Sequence, residues 1–182
     1  MRSLLAAVLL AAVSCAAPDY HRWSVHVPFS VATGEDSTIA GLRLEDEAPI
    51  HPDWSLYFAA SVLDVDADGS DPGTASDIKK NLIEGALGLR YYFQSDWTLR
   101  PFGFGEVSMS NVLLDRLDNV HAIYGLTLGA GLRAPLNRDW DFEAAVAYRH
   151  VQASLSGGGY PGLDFESALS GVMVFLGVGY TW

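Results

Sequence analysis

The chain has 182 residues with 11 Lys and Arg against 22 Asp and Glu, a formal charge of −11 that argues against a nucleic-acid partner, whose phosphate backbone calls for an extended basic face. Hydrophobic residues make up 49%, too many for a disordered chain despite 18 glycines. Arginines dominate the basic residues, and no apolar run long enough for a membrane-spanning helix occurs.

Residues 1–17, MRSLLAAVLLAAVSCAA, read as a cleaved secretory signal. Arg2 precedes an apolar run from Leu4 to Val13, and small residues follow as a signal peptidase requires. Cys15 sits in a poor lipobox, with Ala12 where a larger aliphatic is usual, and cleavage after Ala16 would leave a chain without cysteine. Residues 18–182 then form one domain.

From there the pattern alternates with period two, the signature of strands with two different faces. Eight strands are expected at 22–32, 38–46, 54–66, 80–93, 97–110, 120–134, 140–155 and 164–182. Trp23, Val25, Val27, Phe29 and Val31 share one face of the first, and Val172, Val174, Leu176, Val178, Tyr180 and Trp182 one face of the last. Short turns at 47–53, 94–96 and 135–139 alternate with longer polar segments around 33–37, 67–79, 111–119 and 156–163. Three Asp-Trp pairs follow the short turns, with Trp54, Trp97 and Trp140 each 43 residues apart, the length of one strand-loop-strand-turn unit.

The faces differ in chemistry. One carries Trp, Leu, Val and Phe; the other carries charges in mid-strand, namely Arg43, Arg90, Arg100, Arg133 and Arg149 with Glu45, Glu84, Glu106, Asp141 and Glu143. A soluble barrel would bury the first face and expose the second. Aromatics gathered at strand ends and turns that alternate short and long favour the inverse, with the apolar face toward lipid. The fold class is therefore all-β: an eight-stranded antiparallel up-and-down transmembrane β-barrel. Its lumen is narrow enough to be filled by side chains, and opposed charges there are expected to pair. Arginine suits such pairs through its planar fork, which explains its excess over lysine. Trp23, Trp54, Trp97, Trp140, Tyr180 and Trp182 are the expected interfacial girdle.

With VMVFLGVGYTW at the end, YGLTLGAGLRAPLNRDWDFEAAVAYR at 124–149 and LGLRYYFQSDWTLRPFGFGE at 87–106, the chain resembles the small Gram-negative outer-membrane barrels of the OmpA, OmpX and opacity-protein kind. That resemblance implies an outer-membrane location, lipid and lipopolysaccharide around the barrel, and a C-terminal strand read by the barrel-assembly machinery. The expected function is a structural and surface-interaction scaffold with acidic outer loops. The first alternative is a narrow channel for ions or small apolar solutes, and the second is a lipid A-modifying barrel enzyme using His150.

Two further constellations bear on chemistry. Asp64, Asp66, Asp68 and Gly69 match the first half of a calcium loop, but Ala75 stands where the closing Glu belongs. The 64–77 segment reads instead as a solvated loop able to share divalent cations with lipopolysaccharide, with Lys79 and Lys80 beside it to meet phosphates. The stretch RHVQASLSGGGYPGLDFES at 149–167 partly resembles outer-membrane lipid A deacylases, with His150 and Asp164 at the places of the catalytic histidine and acid. The nucleophile position holds Gln152, whose amide cannot attack an ester, and Ser154 lies one pleat repeat beyond. No enzyme activity and no cofactor is therefore expected; His21, His26, His51 and His121 show no ligand spacing.

Overall fold

The computed structural model describes residues 21–32, 37–67, 78–94, 98–113, 122–153 and 169–182. Eight strands run Arg22–Ala32 (β1), Ser37–His51 (β2), Trp54–Ala67 (β3), Ile78–Tyr92 (β4), Arg100–Leu113 (β5), Ala122–Pro135 (β6), Trp140–Ala153 (β7) and Gly171–Thr181 (β8). Each pairs antiparallel with its sequence neighbour, and β1 closes the barrel on β8 from Arg22 opposite Thr181 to Ala32 opposite Gly171.

Period-two side chains give this wall two opposite solvents. On β7, Asp141, Glu143, Ala145, Ala147, Arg149 and Val151 are buried, while Phe142, Val146, Tyr148 and His150 are exposed. On β6, Leu126, Leu128 and Leu132 face outward, Leu128 at 60% exposure. A continuous outer belt of Val, Leu, Phe and Trp is far larger than any apolar patch a water-soluble monomer carries. It is the belt of a barrel that meets hydrocarbon.

At the end holding Arg22 and Trp182, the β2–β3 and β6–β7 turns are short. At β2–β3 only Pro52 and Asp53 lie between the strands, and a register shift between Pro49 and His51 absorbs the proline. Pro at a bulge costs no ladder bond, so β2 continues to His51 rather than ending at 46. At β6–β7, the Asn137 Oδ1 accepts the amides of Asp139 and Trp140, both at 3.0 Å. The chain between β4 and β5 is longer than expected, because β5 begins at Arg100 rather than 97. Strand β8 likewise begins at Gly171 rather than 164.

Trp54 and Trp140 open β3 and β7 as expected; Trp97 lies outside the described residues, three positions before β5. Trp23, Tyr180, Trp182 and Trp140 form one chain of rings across the closure, with centroids 6.0 Å (Trp23–Trp182), 6.1 Å (Tyr180–Trp182) and 5.1 Å (Trp140–Tyr180) apart. Trp54 makes a separate pair with Tyr91 at 4.9 Å.

Candidate functional site: the filled lumen

The interior is built in layers. Nearest the short turns, the Arg22 guanidinium grips both carboxylate oxygens of Asp141, its Nε lying 2.8 Å from Oδ2. Glu47 stands beside it. One of its oxygens accepts from Arg133 at 2.6 Å, Arg90 at 2.8 Å and Arg22 at 3.2 Å, and the other accepts the Tyr92 hydroxyl at 2.5 Å. Glu143 completes the layer, 2.9 Å from Arg22, 3.1 Å from Arg90 and 3.2 Å from Arg133.

One level up, Arg90 reaches Glu45 at 2.7 Å, and Arg43 reaches Glu106 at 2.6 Å and Glu45 at 3.3 Å. The Tyr57 hydroxyl donates to Glu106 at 2.9 Å. Above these, Glu84 pairs with Arg149 and accepts the Ser110 hydroxyl at 2.8 Å. Every carboxylate of the lumen is thus matched to at least one guanidinium, the arrangement that makes buried charge tolerable.

Aromatic rings from β3, β4, β5 and β8 lie among these charges. The Arg90 guanidinium lies 4.7 Å from the Phe102 centroid and 5.0 Å from that of Tyr57. Arg43 lies 5.4 Å from Phe175, and Arg133 lies 4.6 Å from Tyr92. Guanidinium planes stack on such faces and shed water more readily than an ammonium does, so arginine rather than lysine fills this lumen. Space for these side chains comes from facing glycines. A Cβ on Gly177 would strike the His26 ring and lie 2.6 Å from the Val25 carbonyl, and one on Gly179 would strike the Arg22 guanidinium.

Toward the other end the lumen turns apolar. Ile39, Leu63, Val65, Leu82, Ile123, Val151 and Leu169 form one buried cluster across β2, β3, β4, β6, β7 and the lead into β8. Leu63 and Leu82 are register partners. Leu169 is held inward because the Ser170 hydroxyl accepts the Val151 amide at 2.9 Å, clamping this segment to β7. The charged layers therefore sit beneath a greasy cap.

Sequence reasoning placed Arg43, Glu45, Glu84, Arg90, Glu106, Arg133, Asp141, Glu143 and Arg149 on this inner face, and all nine join the ion-paired layers. Arg100 does not. It has inward parity but lies at the first position of β5, exposed at the mouth and outside the network. Arg22 and Glu47, which sequence reasoning left out, take central places instead. Glu47 was hidden by the Pro49 turn signal, and Arg22 by its position as the first residue of its strand. Among the described residues the network therefore holds six carboxylates against five guanidiniums, rather than equal numbers.

His26 is buried on β1, its Nε2 2.8 Å from the Ser24 hydroxyl. One ligand atom each from His26, Glu45 and Glu143 lies within 4.8 Å of the others, a grouping that could hold a metal ion and that their wide sequence separation conceals. Arg90, Arg43 and Arg22 already occupy the two carboxylates, and the remaining cavity is about 10 Å³, room for one water. Guanidinium groups hold the place a cation would take.

The remaining sequence candidates are dispersed. His150 and Gln152 are exposed on the outer face of β7; Ser154 and Asp164 lie outside the described residues. Asp64 is exposed on β3, and the strand runs on through Asp66 to Ala67. An extended strand puts these two positions about 7 Å apart along β3, and the rest of the 64–77 segment lies outside the described residues. Asp68 lies outside the described residues, as do residues 1–17.

A closed eight-stranded wall, apolar outside and ion-paired within, defines a membrane-spanning β-barrel. Comparison with solved structures agrees. The chain is similar to OprG from Pseudomonas aeruginosa, with 16% identity, a TM-score of 0.61, and 91% of this chain and 96% of that one covered. It is similar to Neisserial surface protein A at 14% identity and TM-score 0.60, covering 88% and 95%. It is also similar to the N-terminal β-barrel domain of Pseudomonas aeruginosa OprF at 17% identity and TM-score 0.55, covering 90% and 98%. No protein-family model and no curated protein matches the sequence. The fold is that of the small eight-stranded outer-membrane β-barrels of Gram-negative bacteria.

Proposed function

We propose that the protein is a structural and surface-interaction scaffold of the outer membrane, a plugged barrel that displays acidic loops on its outer side. The supporting observation is the lumen: three ion-paired layers lie under an apolar cap. An ion entering from outside would first have to cross the cluster around Leu63 and Leu82, and then displace a guanidinium from its carboxylates. In this reading residues 1–17 are removed on export, and the assembly machinery reads β8. Lipopolysaccharide and shared divalent cations meet the 64–77 segment.

Refolded protein in planar bilayers should show no steady single-channel conductance. Discrete current steps would establish the channel alternative in its place. The scaffold carries out no lipid chemistry in this reading, since Gln152 occupies the place of a nucleophile. Lipid A from cells overexpressing the protein should keep all its acyl chains; a loss that disappears in His150→Ala would overturn this.

A further inference from the structure

Arg100, the arginine that stands outside the lumen network, faces Arg133 directly across the β5–β6 ladder. Like charges opposite one another in a sheet destabilise it unless a counter-charge joins them. Arg138, in the β6–β7 turn, lies at the same mouth, so three of the arginines of a strongly acidic chain meet at one end. Between them is a cavity of about 280 Å³ that Thr98, Asn137 and Trp140 also line.

The nearby carboxylates are mostly committed elsewhere. Both oxygens of Asp141 are held by Arg22, and Glu47 and Glu143 serve Arg133 from inside the barrel. Asp139 on the rim is the remaining acid of the lining. Among the described residues Arg100 and Arg138 have no ion-pair partner. The Asn137 Oδ1 is taken up by two backbone amides, so the NH₂ end of that side chain is left to donate. These bonds hold the Asn137 side chain in place before any ligand arrives, which lowers the cost of binding.

We infer that this mouth is an anion-binding site, built for a carboxylate or phosphate group that enters from the water beneath the barrel. Guanidinium forks recognise both groups bidentately. Arg100 and Arg133 have inward parity, so the site opens toward the barrel axis. That geometry selects a water-borne group over the headgroup of a surrounding lipid. The site does not depend on the scaffold reading, because a conducting barrel would carry it equally.

The test uses the full folded chain in phosphatidylcholine nanodiscs, titrated with inorganic phosphate and with citrate. Amide shifts of Thr98, Asn137 and Arg138 should saturate, and Arg100→Gln with Arg138→Gln should weaken binding about tenfold or more. Both residues are exposed, so the double variant should fold as the parent chain does, the two showing the same heat-dependent shift on a denaturing gel. A linear, non-saturating response would mean an adventitious ion only and would overturn the site. Equal affinity in the double variant would overturn it as well. Loss of phosphate binding when phosphatidylglycerol enters the nanodisc would identify a lipid headgroup as the occupant and refute the water-borne assignment.

Discussion

Glu47→Gln separates two ways of thinking about the lumen. By charge counting alone the change is harmless, since it removes the one carboxylate in excess of the guanidiniums. By local pairing it is severe, because Glu47 is 4% exposed and accepts from Arg22, Arg90, Arg133 and Tyr92 together. Removing one member of a buried ion pair costs about 3–5 kcal/mol. Here each cation keeps a second partner: Asp141 for Arg22, Glu45 for Arg90, Glu143 for Arg133. The Arg133 side chain, 11% exposed, also retains some water. The expected loss therefore falls at the lower end, about 3 kcal/mol. Urea titration in lipid vesicles, followed by tryptophan fluorescence, measures it. Glu47→Gln with Arg133→Gln together should cost less than the two changes added. A loss under about 1 kcal/mol in the single variant would refute the local-pairing argument and favour a lumen governed by net charge.

Three other changes probe the remaining layers. Leu128→Arg, at the middle of the outer face of β6, should cost about 2–4 kcal/mol in the same titration, whereas a surface charge on a soluble barrel would cost almost nothing. Gly177→Val should destabilise by about 1–3 kcal/mol, because its side chain meets the His26 ring and the Val25 carbonyl. An unchanged unfolding midpoint would mean that β1 and β8 can separate to admit it. Leu63→Ala should cost about 2–5 kcal/mol by opening a cavity in the apolar cap, and should speed hydrogen exchange of the Glu84 and Ser110 amides below it.

Alternation in the sequence carries information about face but not about height. That is why nine of ten lumen charges were placed correctly from parity, while Arg100, with the same parity, sits at the rim. A strand's first residue belongs to the mouth, and only the register of β5 against β4 and β6 says where the mouth lies. Glu47 was lost for a local reason: Ala48-Pro49 reads as a turn, yet a bulge lets β2 run past it. The apolar cap escaped because both faces are apolar where it sits. Val62-Leu63 and Leu82-Ile83 break the contrast between inner and outer residues on which the period-two reading depends. The His26, Glu45 and Glu143 grouping needs three strands brought together before it exists at all.

The ion pairs of the lumen span long stretches of chain: 119 positions from Arg22 to Asp141, 86 from Glu47 to Arg133, 63 from Arg43 to Glu106. The first joins β1 to β7 and cannot form while β1 and β8 are apart, and the other two join strands of the wall that are not neighbours and so require it to have curled. Their weight consequently falls on the speed at which a closed barrel reopens, with little effect on how fast it closes. Such a barrel is durable in time more than in equilibrium free energy. For a chain held in a membrane whose outer side is open to the surroundings, a long lifetime between openings is the more useful property.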